Sequence, residues 1–130
     1  MFEVAVEFSF RATHAVREAG GRREKLHSHR WKTEVCVGSK RLSAAGFVMD
    51  FRVLKKLVSD VLKELEGTRL DRLRFFVENR LDPTTENIAF YIYRRLRGPV
   101  KKEKSRLCRV TVWETADSRA SYAETVNGRD

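Results

Sequence analysis

The strongest constraint on the fold is an alternation of apolar and polar residues in two segments near the N-terminus. In the first segment the apolar residues of one parity are Phe2, Val4, Val6, Phe8 and Phe10. A second segment, "HSHRWKTEVCVGS" at residues 27–39, alternates in the same way. A period of two places alternate side chains on one face of a β-strand. The glycine-containing, charged segment between them is typical of a loop, so we predict a hairpin of two half-buried strands.

The middle of the chain predicts two helices. Asp50 is a favourable N-cap residue, and apolar residues follow it at helical spacing until Gly67, which is placed to end the helix. Thr84 opens a second helical pattern, which the Gly98–Pro99 pair is expected to end. Residues 68–83, between the helices, are predicted to be irregular.

Two further strands are predicted near the C-terminus. Residues 106–115, "RLCRVTVWET", alternate clearly, and residues 119–126, "RASYAETV", form a shorter pattern. The resulting order, β-β-α-α-β-β, predicts one α+β domain over residues 1–130, with two helices on one face of a four-stranded antiparallel sheet. Such a sheet has open edges, and these favour assembly with other copies of the chain.

Composition limits the classes of function. The net charge is +9, and charged residues make up 35% of the chain, but acidic and basic residues are interleaved. There is no basic-aromatic pattern for stacking on bases, so we expect no nucleic-acid partner. No apolar run approaches the ~20 residues that span a bilayer, so we expect no membrane partner. Two cysteines do not make a disulfide framework, and no signal peptide precedes the first strand. We therefore expect a cytoplasmic protein.

The three histidines of the chain form the candidate metal site. His27 and His29 are two residues apart on a predicted strand, so both point to one face. His14 follows the end of the first strand, and a hairpin brings that end close to the start of the second strand. Three neutral imidazoles and an open position are typical of a catalytic zinc site. Taken alone, the His-x-His pair could equally be two ordinary polar residues at a strand start.

Six segments together resemble the 6-pyruvoyl-tetrahydropterin synthase family, which includes the 6-carboxytetrahydropterin synthases. They are "FSFRATHAV", "EKLHSHRW", "GFVMDF", "LD", "PTTENIA" and "VTVWET", in the family's order from about Phe8 to Thr115. The resemblance implies that His14, His27 and His29 hold Zn²⁺. It also implies the pterin-tunnelling fold (T-fold), in which sheets of several subunits join edge to edge into a barrel, with a homohexamer expected.

The resemblance implies a catalytic residue just before the histidine pair, where the family normally has a cysteine. Arg23 occupies that position here, and Glu24 follows it. One branch of the family has a glutamate instead of the cysteine, so Glu24 is the candidate general base. It could also be merely part of a charged loop. Cys36 has the opposite parity to the histidines, so neither it nor the distant Cys108 is expected to be the nucleophile.

A second departure affects the proton relay of the family, which uses an aspartate and a histidine. The corresponding pair here is Asp71 and Arg72. Because arginine does not release a proton at ordinary pH, that relay cannot operate unchanged. Asp71 stays a candidate catalytic partner of the base, and Arg72 could hold a phosphate. The alternative is a surface ion pair.

The resemblance also implies a pterin-binding set, namely Glu114, Thr84, Thr85 and Glu86. A carboxylate can accept two parallel hydrogen bonds from the amine and ring N–H of a pterin, and Glu114 is the expected anchor. Without a hydrogen-bonding partner of this kind, a carboxylate on the same face as Val110 and Val112 would be costly to bury. The alternatives are that the strand ends there and Glu114 reaches water, that the threonines only cap the helix, and that Glu86 only compensates the helix dipole.

The predicted function is that of a zinc-dependent lyase acting on the side chain of 7,8-dihydroneopterin triphosphate. With glutamate in place of cysteine, the expected product is 6-hydroxymethyl-7,8-dihydropterin. The alternatives are the 6-pyruvoyl or 6-carboxy product of the biopterin or deazapurine pathway, and a non-catalytic pterin-binding protein.

Overall fold

A computed structural model describes residues 1–124. It contains four strands and three helices: β1 (Phe2–His14), β2 (His27–Ser39), α1 (Phe51–Leu62), α2 (Arg74–Glu78), α3 (Thr85–Lys102), β3 (Arg106–Thr115) and β4 (Ser118–Tyr122). A single 3₁₀ turn, Leu70–Arg72, precedes α2. The predicted order is confirmed, and the region predicted to be irregular contains this turn and the short α2.

The four strands form one antiparallel sheet in the order β1-β2-β3-β4. The β1–β2 register is continuous from Phe2 opposite Ser39 to His14 opposite His27. The predicted hairpin is therefore confirmed. His14 is the last residue of β1, whereas the sequence placed it just beyond the strand, because pairing with His27 extends the ladder to that point.

One face of the sheet is buried against the helices, as the alternation predicts. The fully buried strand residues Trp31, Val35, Val110 and Val112 pack in one cluster with apolar residues of α1 and α3. The other parity of β1 is exposed from Glu3 to Arg11, and Thr13 is half-buried. This two-layer arrangement confirms the α+β prediction and leaves the start of β2 and the end of β3 beside the first turn of α3.

The helix boundaries differ in part from the predictions. Asp50 is the N-cap of α1, and its carboxylate accepts a hydrogen bond from the Arg52 N–H. However, α3 does not end at Gly98–Pro99 but continues to Lys102. An internal proline removes one backbone hydrogen bond, at a cost of about 3 kcal/mol. The next residue, Val100, is completely buried, and its packing helps to offset that cost.

The last strand is shorter than predicted. β4 ends at Tyr122, so the predicted positions Ala123 and Glu124 are not part of the strand, and the predicted positions Thr125 and Val126 lie outside the described residues. Among residues 1–124, no helix combines the length and apolar character needed to cross a membrane.

Candidate metal centre and substrate site

Strand pairing brings the three histidines together. His14 lies directly opposite His27, and His29 lies two residues further along β2 on the same face. The Nε2 atoms of His14 and His27 are 2.9 Å apart. One ligand atom from each of the three histidines and from Glu114 lies within 4.8 Å of all the others. The predicted convergence of the three imidazoles is therefore present.

Backbone carbonyls determine which ring nitrogens face the centre. The Nδ1 atom of His14 is 2.8 Å from the Pro83 carbonyl oxygen, and that of His27 is 2.8 Å from the Lys25 carbonyl oxygen. A carbonyl can only accept, so each Nδ1 must carry the proton. In the neutral rings both Nε2 atoms then present lone pairs to each other. Two lone pairs at 2.9 Å repel unless a cation lies between them, so the arrangement fits a bound metal ion.

His29 provides a second indication that the cluster suits a metal ion. Its Nε2 atom is buried and makes no hydrogen bond, although Glu114 Oε1 is 3.1 Å away. Burial lowers the pKa of His29. Glu114 opposes this shift, whereas the nearby His27 and His14 add to it. The neutral form, which is the one that binds metal ions, is thereby favoured.

Trp31 packs against two of the three histidines. It is completely buried, and its indole N–H donates to the Ala12 carbonyl oxygen at 3.2 Å. Its ring packs edge-on against His14 and His29, with centroids 4.8 and 5.2 Å apart. The indole thus limits the rotamers of two candidate ligands, as a precise metal site requires.

Glu114 joins the histidines from the end of β3. Its Oε1 atom is 3.1 Å from His29 Nε2 and 3.4 Å from His14 Nε2. Its Oε2 atom accepts a hydrogen bond from the Thr85 hydroxyl at 3.1 Å. The carboxylate was predicted to bind a pterin ring. In the structure it lies where it could do that or could act as a fourth metal ligand.

The separations of the facing atoms match metal coordination. In a tetrahedral site with bonds of ~2.0 Å, neighbouring ligand atoms are about 3.3 Å apart. The distances from His14 Nε2 to His27 Nε2 and to Glu114 Oε1 are 2.9 and 3.4 Å. His14, His27, His29 and Glu114 therefore form a candidate site for a divalent metal ion.

Glu24 lies at the edge of this cluster. Its Oε1 atom is 3.8 Å from His27 Nε2 and accepts a hydrogen bond from the Val16 N–H at 3.0 Å. The Glu24 N–H in turn donates to the Val16 carbonyl oxygen at 3.0 Å. This reciprocal pairing holds the loop after β1 closed and directs the carboxylate towards the histidines. The position of Glu24 is consistent with the predicted role of a base.

Asp71 contacts arginines rather than the histidines. Its carboxylate accepts two hydrogen bonds from Arg69 at 3.1 Å and is 3.8 Å from Arg23. Burial alone would raise the pKa of Asp71, but Arg69 and Arg23 hold this pKa below its usual value. No contact of Asp71 with the histidines is present among the described residues. It stays a predicted catalytic residue, and its structural partners are arginines.

A basic cleft adjoins the histidine centre. It has a volume of about 610 Å³, and its lining includes Arg17, Arg23, Arg80, Asp71 and Asp82. One Asp82 carboxylate oxygen accepts from the Arg17 N–H at 2.7 Å, and the next residue along the chain supplies the carbonyl that binds His14. Arg72 is exposed and does not line this cleft.

The other predicted substrate-binding residues divide into two groups. Thr85 reaches Glu114, whereas the Thr84 hydroxyl caps α3 by accepting from the Asn87 N–H at 3.1 Å. Glu86 is exposed in the first turn of α3. Only Thr85 of these three therefore contacts the candidate metal centre directly. Capping accounts for Thr84, and dipole compensation accounts for Glu86.

The structure agrees with the expectation that neither cysteine is the nucleophile. Cys36 lies on the sheet face opposite the histidines, and burial raises the pKa of its thiol to about 12. The residues that the sequence did not reveal are Arg17 and Arg80, together with the carbonyls of Lys25 and Pro83. Main-chain groups have no sequence signal, and the two arginines are not distinguished from the many others in the chain.

The fold and this centre define a T-fold protein with a candidate three-histidine metal site at one end of its sheet. Residues 3–125 match the family model of 6-pyruvoyl tetrahydropterin synthase. The chain belongs to the 6-pyruvoyl tetrahydropterin synthase family.

Three related proteins extend this result. The chain is 41% identical over 110 residues to the dihydroneopterin monophosphate aldolase of Pyrococcus furiosus, covering 82% of this chain and 83% of the relative. It is 34% identical over 129 residues to the 6-carboxy-5,6,7,8-tetrahydropterin synthase of Synechocystis, covering 94% and 93%. The solved structure of Caenorhabditis elegans 6-pyruvoyl tetrahydropterin synthase superimposes with a TM-score of 0.77 at 24% identity, covering 96% and 98%.

Proposed function

We propose that this chain is a zinc-dependent lyase that cleaves the side chain of a phosphorylated 7,8-dihydroneopterin. The proposed pterin product is 6-hydroxymethyl-7,8-dihydropterin. The observation that carries this proposal is the position of Glu24, whose carboxylate is 3.8 Å from His27 Nε2 on a loop that contains no cysteine. A relative with 41% identity is named as an aldolase acting on dihydroneopterin monophosphate, and this supports side-chain cleavage.

His14, His27 and His29 would hold the zinc ion, which when bound supplies a Lewis acid that polarises the side-chain hydroxyls. Glu24 removes the proton of the hydroxyl on the second side-chain carbon. The bond between the first and second side-chain carbons breaks, and its electron pair passes into the pterin ring system. The second carbon leaves as the aldehyde of a phosphorylated two-carbon fragment. Return of a proton to the first carbon completes 6-hydroxymethyl-7,8-dihydropterin, so atoms and charge balance.

Glu114 and Thr85 would hold the pterin ring. The Thr85 hydroxyl already donates to Glu114 Oε2, so the carboxylate is oriented before substrate arrives. In the proposed complex the ring amine and adjacent N–H donate to this carboxylate, and the charge-assisted pair fixes the ring orientation. Thr84 and Glu86 would act indirectly, by stabilising the first turn of α3.

The arginines of the cleft would bind the phosphate. Arg17 and Arg80 make no guanidinium ion pair among the described residues, so their charges are available to an anion. Asp71, which is hydrogen-bonded to Arg69 and close to Arg23, is proposed as the catalytic partner of the base and would also orient guanidinium groups at the cleft. The phosphate would therefore point away from the histidines.

Assembly into a multi-subunit barrel, with a hexamer expected, is also proposed. β1 and β4 are the edge strands of the sheet, and β1 is 13 residues long. An unpaired edge of that length favours pairing with another chain. The cytoplasmic location and the absence of nucleic-acid and membrane partners stay expectations from the sequence.

Incubation of the zinc-loaded protein with dihydroneopterin monophosphate and, separately, with the triphosphate tests the function. Mass spectrometry is expected to detect 6-hydroxymethyl-7,8-dihydropterin from at least one of them. A pyruvoyl or carboxy product would favour the alternative synthase activities. Bound but unchanged substrate would favour a binding protein and contradict catalysis. The metal-free protein is the control.

Arg80→Ala is expected to raise the KM for the phosphorylated substrate about 10–100-fold, because a hydrogen bond to a charged group contributes about 1.5–3 kcal/mol. The KM of unphosphorylated dihydroneopterin should change little. Arg72→Ala, which removes an exposed arginine outside the cleft, is the matched control. Equal effects of the two substitutions would contradict the phosphate assignment.

Glu114→Gln is expected to raise the KM about 10–100-fold, since the amide loses the charge that strengthens both bonds to the ring. The three histidines should still retain the metal ion. Metal analysis of the purified variant and a kinetic titration with substrate would measure the two effects separately. Loss of the metal ion would instead identify Glu114 as a ligand.

A further inference from the structure

A second group of metal-ligating side chains lies far from the histidines. It consists of Glu3, Cys36 and Cys108, and one ligand atom of each residue lies within 4.8 Å of the other two. The Cys36 thiol donates to Glu3 Oε1 at 3.4 Å. Glu3 and His14 are eleven residues apart along β1, or about 36 Å at a rise of ~3.3 Å per residue. The group is therefore separate from the candidate metal centre.

A β-bulge creates this group. Cys36 pairs with Arg109, but the next residue of β2, Val37, pairs with Leu107, so Cys108 is an extra residue in β3. In a bulge of this kind two successive side chains lie opposite one residue of the neighbouring strand. Without the bulge, Cys108 would follow the alternation and point to the same face as Val37 rather than Cys36.

Gly38 provides the space for the Cys108 thiol. A Cβ atom at Gly38 would lie 2.9 Å from Cys108 Sγ and 2.5 Å from Met1 Cε, so a larger residue would displace both. Gly38 pairs with Glu3 and lies on the same face as Cys36. Gly38, which has no side chain, therefore lies between the members of the group.

We propose that Glu3, Cys36 and Cys108 form a second metal site, which binds a thiophilic divalent cation such as Zn²⁺ or Cd²⁺. Two thiolates and one carboxylate are a donor set for soft or borderline divalent ions, and a tetrahedral ion keeps a fourth position for water. Ligand atoms around such an ion are about 3.3–3.8 Å apart, so the present separations need to close by only about 1 Å.

The charges near the site suit this occupant. A divalent cation with two thiolates and one carboxylate has a net charge of −1. The Arg109 guanidinium is 3.8 Å from Glu3 Oε1 and is positioned to balance that charge. Binding replaces two thiol protons with the metal ion, so each bound ion releases two protons and neither sulfur is oxidised.

Titration of the reduced, metal-free protein with Co²⁺ and with Cd²⁺ tests the proposal. Thiolate ligands give intense sulfur-to-metal charge-transfer absorption, whereas the histidine centre has no sulfur and cannot produce it. We expect this absorption to saturate when one ion per chain is bound by the thiolates, and the binding of that ion should release two protons. Cys108→Ser should abolish it, and Glu3→Gln should weaken ion affinity by roughly 10-fold or more.

Two controls separate this site from the proposed function. Glu7→Gln removes an acidic residue of the same strand face that does not belong to the group, and should leave the absorption unchanged. His29→Asn should also leave it unchanged while impairing the histidine centre. Absence of charge-transfer absorption, or its persistence in Cys108→Ser, would overturn the proposal. The proposal would also be overturned if the untreated protein were two mass units lighter than its sequence mass and bound no ion, because this would identify a disulfide.

Discussion

His27→Ala is expected to abolish tight metal binding at the histidine centre and to reduce turnover to the level of the metal-free protein. The substitution removes one of three imidazole ligands and leaves the Nε2 atom of His14 without its partner at 2.9 Å. Loss of an outer-shell partner alone costs about 10–100-fold in metal affinity, so loss of a ligand should cost at least as much. His27 is partly exposed, so its removal should disturb the core less than removal of His14.

Metal analysis and thermal unfolding would measure this effect, in the Cys108→Ser background so that only one site is counted. At a metal concentration about 100 times the Kd, binding stabilises the native state by about 2.7 kcal/mol. The variant should lose this stabilisation and unfold like the metal-free parent. Ser28→Gly is the matched control, because it changes the residue between the two histidines without removing a ligand. Retention of a stoichiometric metal ion in His27→Ala would contradict the assignment.

Glu24→Gln is expected to lower kcat by about 10²–10⁴-fold, the usual contribution of a general acid or base. The glutamine side-chain oxygen can still accept the hydrogen bond from the Val16 N–H, so the loop should keep its conformation. Bound metal and substrate affinity should be nearly unchanged. Steady-state kinetics, with metal analysis of the same sample, would distinguish a catalytic role from a structural one.

Glu18→Gln is the matched control for this experiment. Glu18 belongs to the same loop and its N–H donates to the Arg22 carbonyl oxygen, but its side chain has no described contact with the histidines. The control removes the same charge and should keep full activity. Undiminished activity in Glu24→Gln would exclude Glu24 as the base, and a simultaneous loss of metal would indicate that the carboxylate supports the centre.

The fold was predictable where a local pattern determines the structure. Alternation defined the first two strands, and Asp50 marked the start of α1. Prediction failed where packing overrides local preference. α3 continues through Pro99, because the burial of Val100 stabilises a further turn of the helix.

The candidate site was predictable in its ligands but not in its surroundings. Identical parity of His27 and His29, together with a hairpin that returns to His14, was sufficient to predict the convergence of the three rings. The arginine partners of Asp71 could not be inferred, because they depend on how the segment before α2 packs against β1. The arginine cleft depends on that packing as well.

Local patterns were sufficient to predict the strand periodicity, the helix starts and the shared face of His27 and His29, because each depends on residues close together in the chain. Which polar atoms meet depends on the tertiary structure. The Pro83 carbonyl orients His14, Thr85 orients Glu114, and a bulge in β3 brings Cys108 to Cys36. These contacts join residues far apart in the chain, and their geometry depends on strand register and helix packing, which no local pattern encodes.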